Sequence, residues 1–139
     1  MTEIDKQDER ISSIFGGEIP NVAEESLATY LAYLKEPLEL PCELTGIEDF
    51  DWEEYYVLGP GDQKEYERLK KTRPSYTDKY DLLSLADKVD GWVGILVNVK
   101  RVSDKKKFTL PLAELEATDE RSKNYQLLDD YSVWFVNNR

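Results

Sequence analysis

An acidic segment that is also rich in aromatic residues, 36–66, constrains this chain more than any other feature. It carries ten carboxylates and one cation, a net charge of −9 out of −11 for all 139 residues. The acids lie among Trp52, Tyr55 and Tyr56, so the segment should fold and not remain a solvated tail. Folding many like charges together costs self-repulsion unless something positive is bound. The two candidates are a hard cation that prefers oxygen ligands and a basic protein surface.

Composition limits the class of protein and its partners. An apolar content of 40% in 139 residues predicts one folded domain, 19–139, after a loosely ordered N-terminal arm, 1–18. A pI near 4.5 argues against binding nucleic acid or an anionic membrane, because phosphates would be repelled. No apolar run approaches the roughly 20 residues of a membrane span, and the polar N-terminus does not resemble a signal peptide. A single cysteine, Cys42, fits a reducing compartment, so a cytoplasmic location is expected.

The chain has no histidine, and this absence narrows the possible chemistry. Without histidine, and with one cysteine, it cannot build a structural zinc site or a Ser-His-Asp triad. Any metal must therefore be held by oxygen ligands. Paired carboxylates could serve a glycosidase or hold magnesium, but the chain has no phosphate-cradling glycine loop. We do not expect an enzyme.

The periodicity of apolar residues predicts an α+β fold. Helices are expected over 22–35, 62–71 and 124–138, with Asp62 as the N-cap of the second. Strands are expected over 38–45, 50–58, 80–85, 92–102 and 108–112, and one helical turn precedes a short strand near residue 117. This pattern favours a small, strongly bent antiparallel β-sheet, an SH3-like barrel, with flanking N- and C-terminal helices.

The motif TGIEDFDWEEYY, 45–56, is the strongest candidate for chemistry. Asp49, Asp51 and Glu53 fall at positions 1, 3 and 5 of a possible EF-hand loop. However, Glu54 replaces the glycine that the sharp turn requires, and Pro60 replaces the bidentate glutamate at the end. The motif is therefore not an EF-hand.

A calcium site of another kind is physically reasonable, because Ca²⁺ accepts six to eight oxygens in flexible geometry. A strand that turns at Gly46 and bulges near Asp49 would bring several acids toward one point. These acids are Glu48, Asp49 and Glu53 or Glu54, and Asp62, Asp78 or Asp81 from elsewhere could complete the shell.

A simpler explanation stays open: acidic runs on strands are most often solvated. In that case Asp62 only caps a helix, and Asp78 only pairs with a neighbouring cation such as Arg73 or Lys79.

The segment 37–78 resembles the CcbP-like family, acidic calcium-binding proteins described from cyanobacteria and related bacteria. The resemblance extends from about Tyr30 to the C-terminal helix and is most specific over 40–56, around LPC, LTG, EDF and WEE. It implies Ca²⁺ binding by surface carboxylates without an EF-hand, in a buffer or sensor of calcium signalling. Carried over by position, it implies Asp49 as the leading ligand, followed by Glu48, Glu53 and Glu54.

Two functions therefore compete. The first is a non-enzymatic Ca²⁺ buffer or sensor. The alternative is an acidic protein-interaction module, of the immunity type or a nucleic-acid mimic, that binds a basic protein partner. In such a module the acids would spread over a flat face and would not converge within about 5 Å of one point. Its partner binding would not distinguish calcium from magnesium.

Overall fold

The computed structural model describes residues 3–139 and shows an α+β fold. The helices are α1 (Glu3–Ile14), α2 (Glu24–Leu34), α3 (Glu54–Val57), α4 (Gln63–Leu69) and α5 (Lys123–Asn138). The strands are β1 (Glu43–Gly46), β2 (Lys79–Asp90), β3 (Gly94–Arg101), β4 (Lys107–Pro111) and β5 (Leu115–Ala117). Two 3₁₀ turns, Asp51–Glu53 and Leu112–Glu114, complete the elements. No helix in this part of the chain is long and apolar enough to cross a membrane.

The strands form one antiparallel sheet in the order β4-β3-β2-β1-β5. Its two edge strands, β4 and β5, do not pair with each other within the described residues, so the sheet is open. The predicted α+β class is confirmed, but the SH3-like barrel is not, because a barrel requires a closed sheet.

The core lies between the sheet and the helices α2 and α5. Alternate residues of β3 are buried, as expected of a strand with one face toward a core. From the helices come Tyr30, Tyr131 and Trp134, all fully buried. The ring centroids of Tyr30 and Trp134 lie 5.2 Å apart, so α2 packs against α5 through these two rings.

The described part of the expected N-terminal arm is helical and contacts the core. Ile11 on α1 is buried, and Arg10 forms an ion pair with Asp130 of α5, with Nε 2.8 Å from Oδ2. Residues 3–14 therefore form a helix, whereas the sequence predicts a loosely ordered arm. The division into an arm, 1–18, and a domain, 19–139, stays a prediction.

The strand predicted over 50–58 is wrong. This segment forms a 3₁₀ turn followed by α3. The Glu53 carboxylate accepts a hydrogen bond from the Phe50 N–H at 3.2 Å, which closes the turn. Trp52 and Tyr56, four residues apart, place their rings 6.2 Å from each other, as on a helix. The apolar and acidic alternation therefore does not reflect a strand period.

The strand predicted over 38–45 is shorter, since only Glu43–Gly46 pairs with the sheet. The backbone of Glu39 is bound by a side chain of α5: its N–H donates to Asn124 Oδ1 at 3.0 Å, and its carbonyl accepts from Asn124 Nδ2 at 2.7 Å. Pro41 has no N–H to donate to a neighbouring strand. The helices predicted over 22–35, 62–71 and 124–138 are confirmed, with boundaries shifted by the usual one or two residues.

Candidate metal centre

The structure separates the predicted ligands into two groups. One group lies in a hydrogen-bonded network beneath the surface and contains Glu53 and Asp78. The other group surrounds an open cavity and contains Glu48, Asp49 and Glu54. Asp62 belongs to neither.

Glu53 is fully buried and accepts four hydrogen bonds. Its Oε1 accepts from the N–H groups of Phe50 at 3.2 Å and Tyr76 at 2.8 Å. Its Oε2 accepts from the hydroxyls of Tyr66 and Ser75, both at 2.7 Å. Burial, and then the hydrogen bond to Glu53, raise the pKa of Tyr66, so this hydroxyl remains a donor. Through these hydrogen bonds, Glu53 connects the 3₁₀ turn to α4 and to the loop before β2.

Asp78 is held by Arg101 of β3, whose side chain is only 3% exposed. Its Oδ2 lies 3.0 Å from Arg101 Nη1 and accepts the Ser75 N–H at 3.0 Å. The guanidinium also donates to Asp104 and to three carbonyls after α4, those of Lys70, Lys71 and Arg73. Asp78 therefore balances a buried cation, a role that needs no metal.

Asp62 caps α4, as the sequence predicts. Its Oδ1 accepts the Lys64 N–H at 3.3 Å, and the side chain is exposed. It does not line the cavity that the other acids surround. Whether it also binds a metal stays a prediction.

The loop after β1 is fixed against the 3₁₀ turn before β5. The Ile47 N–H donates to the Glu114 carbonyl at 3.0 Å, and the Gly46 N–H donates to the Tyr76 carbonyl at 3.0 Å. A Cβ atom on Gly46 would lie 2.5 Å from the Tyr76 Cβ, so only glycine permits this close approach. These contacts bring the acids that follow Gly46 next to Glu114.

The result is a cavity of about 840 Å³ with an acidic rim. Six carboxylates line it. Asp129 accepts a hydrogen bond from Gln7 Nε2 at 3.1 Å, and we call the other five, Glu48, Asp49, Asp51, Glu54 and Glu114, the rim acids. None of their side chains has a hydrogen-bond or ion-pair partner within residues 3–139. Among the described residues that line the cavity, Arg139 alone carries a positive charge. Its guanidinium lies over the ring of Phe135, 5.0 Å from the centroid.

The rim acids repel one another, and the effect is visible at Glu114. Burial raises the pKa of this half-buried side chain, and the negative charges of Asp51 and Glu48 raise it further. A cation among these carboxylates would remove this repulsion. The oxygen donors and the missing counter-charges fit the chemistry of Ca²⁺.

The carboxylates surround the cavity but do not converge on one point. Within the described range, no group of three or more His, Cys, Asp or Glu side chains is placed to hold a metal ion. Glu48 and Glu54 are exposed, so their side chains are free to turn inward around an ion. The cavity brings together three of the six predicted ligands, and all six assignments stay predictions.

Sequence reasoning missed two rim acids as candidate ligands. Asp51 lies inside the motif, where the sequence indicates it only as position 3 of the rejected EF-hand loop. Glu114 is far from the motif in sequence and lies in the turn before β5. No spacing in the chain indicates that the Ile47–Glu114 hydrogen bond brings these segments together.

Comparison with known proteins identifies the family. The sequence profile of the CcbP calcium-binding family matches residues 61–135, more than half of the chain. The chain belongs to the CcbP family. The predicted resemblance and its ion, Ca²⁺, are confirmed. The matched range of this CcbP-family chain includes Glu114 but begins after the motif at 45–56.

Two solved structures share the fold. The crystal structure of Anabaena CcbP is 16% identical, with a TM-score of 0.58, and the match covers 99% of this chain and 94% of that one. A calcium-binding protein in the calcium-binding form is 17% identical, with a TM-score of 0.60, and the match covers 99% and 97%. At these identities the likeness shows a common CcbP fold. A search of curated proteins finds no match.

Proposed function

We propose that this CcbP-family protein is a non-enzymatic cytoplasmic Ca²⁺ buffer or sensor that binds the ion at the rim acids. The proposal rests on one observation: these five carboxylates line one cavity, and within residues 3–139 none of their side chains forms an ion pair or a hydrogen bond. Other acids of the segment already have partners: Glu53 in its buried network and Asp62 at its helix. Among the acids without a side-chain partner, the rim acids are the ones that lie together around this cavity.

In this proposal Asp49, Glu48 and Glu54 would hold the ion, and Asp51 and Glu114 would complete the negative surroundings. The ion supplies two positive charges in a cavity whose described lining holds six carboxylates and one cation, Arg139. The protein holds the loop after β1 against the turn before β5, through the Ile47–Glu114 hydrogen bond of 3.0 Å. This contact keeps carboxylates from distant parts of the sequence within reach of one ion.

A sensor role would use the other walls of the cavity. They come from the β2–β3 hairpin and from α5, so inward movement of the rim acids would change a surface built from three parts of the fold. A buffer needs no such change. The cytoplasmic location is supported by the lone, buried Cys42, which fits a reducing compartment.

Calorimetric titration with CaCl₂, together with thermal unfolding in CaCl₂ and in EDTA, tests the proposal. We expect binding heat for the wild type and stabilisation by about 2.7 kcal/mol at a hundredfold excess over the dissociation constant. Asp49→Asn and Glu54→Gln should each weaken Ca²⁺ binding. Trp92, which lines the cavity, should report binding through its fluorescence.

The matched control is Asp87→Asn, which removes the same charge from an exposed position of β2 outside the cavity. It should bind Ca²⁺ as the wild type does. MgCl₂ at equal concentration controls for general screening, because Mg²⁺ demands a stricter octahedral geometry. A wild type that gives no heat and melts at one temperature in CaCl₂ and EDTA would overturn the proposal.

A further inference from the structure

The cavity behind the rim acids also has an exposed apolar wall. Trp92 is 88% exposed and Leu58 is 74% exposed, and both line the cavity. Ile47, Val93 and Val136 are further exposed apolar residues of the same lining. Apolar side chains gathered in one concave place, unlike scattered ones, are typical of an interaction site.

Trp92 is held outward by the hairpin that carries it. The Asp90 carboxylate accepts the N–H groups of Trp92 at 2.7 Å and Val93 at 3.1 Å, which fixes the tip. At the base of the tip, the Ile95 N–H donates to the Tyr131 hydroxyl at 2.8 Å, so the hairpin is attached to α5. A fixed, exposed aromatic residue loses little freedom on binding, and such residues commonly dominate binding energy.

The chemistry of the walls defines the occupant. The groove is lined by exposed apolar side chains, among them Trp92 and Val136, and by the unpaired rim acids. A second, smaller pocket lined by Asp51, Glu54, Tyr55, Leu58 and Gly59 shares its first, second and fourth lining residues with this cavity and extends the acidic and apolar surface. A fitting ligand must therefore present apolar and basic side chains on adjacent faces.

We propose that this groove, between Trp92 and the rim acids, docks a basic amphipathic helix of a partner protein. Such a helix places apolar residues at i, i+3 and i+4 on one face and cations beside them. Its apolar face would pack on Trp92 and Val136, and its cations would supply the charge that the rim acids lack.

A second copy of this chain does not fit the groove. Each copy carries a net charge of −11, so two copies repel each other. The basic run at 105–107 is exposed at the end of the β3–β4 turn and the start of β4, and it contains no apolar residue. It therefore offers charge without the apolar face that the wall requires.

Ca²⁺ and the partner helix should exclude each other, because both need the rim acids. This competition rests on the proposed function, whereas docking does not. A protein of this kind would hold its partner at low Ca²⁺ and release it as Ca²⁺ rises. By linkage, the partner would lower the apparent Ca²⁺ affinity by the same factor.

Fluorescence anisotropy with a synthetic peptide tests docking on the full chain. The probe is a fluorescein-labelled peptide of leucine and lysine, about 14 residues long, which gives about four helical turns. In EDTA we expect the wild type to bind it, and Trp92→Ser to weaken binding about tenfold or more. Leu83→Ser, an exposed apolar residue of β2 outside the cavity, is the matched control and should bind as the wild type does.

Two control peptides separate the contribution of apolar contacts from that of charge. A peptide with serine in place of leucine and a peptide with glutamate in place of lysine should both bind weakly. Equal binding of the serine peptide, or unchanged binding by Trp92→Ser, overturns the proposal. A wild type that sediments as a dimer whose interface is broken by Trp92→Ser also overturns it, because the groove is then occupied by a second copy.

The Ca²⁺ titration separates the two hypotheses. Trp92→Ser should keep the Ca²⁺ heat of the wild type, which also shows that the variant is folded. CaCl₂ should displace the leucine–lysine peptide from the wild type, whereas MgCl₂ should displace less. If the wild type gives no heat with Ca²⁺, the proposed function is wrong. The docking proposal is still decided, by the peptide-binding measurement in EDTA. If the wild type binds Ca²⁺ and the peptide at the same time, with no displacement of the peptide, the proposed competition is wrong.

Discussion

The Tyr66 hydroxyl on α4 lies 2.7 Å from Oε2 of Glu53, so a buried carboxylate ties the acidic motif to the helix that follows it. The ring of Tyr66 also stacks on Tyr56, with centroids 5.4 Å apart. Glu54, the next residue in the chain, is exposed and lines the cavity. Two adjacent acids thus have different surroundings: Glu53 is buried and accepts hydrogen bonds from four groups, whereas Glu54 is exposed at the cavity.

Glu53→Gln should destabilise the protein whether or not Ca²⁺ is present. The amide replaces one of the two accepting oxygens with an NH₂ donor, so the two buried donors bound to that oxygen lose their partner. We expect a loss of about 2–3 kcal/mol in the free energy of unfolding, measured by urea denaturation in EDTA. Glu54→Gln makes the same charge change one residue later and is the control. It should leave stability in EDTA nearly unchanged and weaken Ca²⁺ binding. Equal stability of the two variants would contradict this division of roles.

Glu114→Gln should make the Ca²⁺-free protein more stable at neutral pH. Burial and the charges of Asp51 and Glu48 raise the pKa of Glu114 in the folded state, so the folded protein holds this proton more tightly than the unfolded chain. Stability from this group is therefore lost as pH rises from the ordinary glutamate value to the raised one. In the variant the side chain carries no ionisable group, so this loss of stability does not occur.

Thermal unfolding in EDTA at about pH 4 and about pH 7 measures the effect, since ordinary carboxyls titrate near the lower value. The variant should have a higher melting temperature than the wild type only at the higher pH, and it should bind Ca²⁺ more weakly. Glu120→Gln, an exposed position outside the cavity, controls for the general benefit of removing one negative charge. A gain no larger than that of the control would count against repulsion at the rim.

Much of the fold could be predicted because its signals are local. The helix α2 follows from Leu27, Tyr30, Leu31 and Leu34 at helical spacing, and all four are buried. The hairpin of β3 and β4 follows from two apolar runs around a polar turn. The acidic motif could not be predicted in this way. Its alternation fits a strand, but the buried side chains of Phe50 and Glu53 are three residues apart.

The site was only partly predictable because its contacts are not local. Which acid is buried is decided by donors from other segments, such as Ser75 and Tyr76 for Glu53. In the same way, Asp78 is engaged by Arg101, whose position on β3 depends on the sheet. Composition indicated an excess of acids over cations in the motif. It could not indicate which acids would remain unpaired.

Asp104→Asn should remove part of the acid sensitivity of the protein. The hydrogen bonds from Arg101 lower the pKa of Asp104 to about 2. Its contribution to stability is therefore complete above the ordinary aspartate value and is lost as pH falls toward about 2. The variant should be less stable than the wild type at neutral pH, and the difference should shrink in acid. Urea denaturation at neutral pH and at about pH 3 measures it. Asp87→Asn, exposed on β2, is the control and should not show this pattern.

Gly46→Ala should damage both stability and Ca²⁺ binding. The added Cβ would lie 2.5 Å from the Tyr76 Cβ and 2.6 Å from its Cα, and backbone cannot yield as a flexible side chain can. We expect a loss of about 1–3 kcal/mol, as for other overpacked sites. Since the Gly46 and Ile47 N–H groups hold the loop in place, the rim acids that follow should also move away from Glu114. Gly91→Ala is the matched control, because a Cβ there meets nothing within 4 Å. If urea denaturation and Ca²⁺ calorimetry give the same values for both alanine variants, the close approach at Gly46 does not position the site.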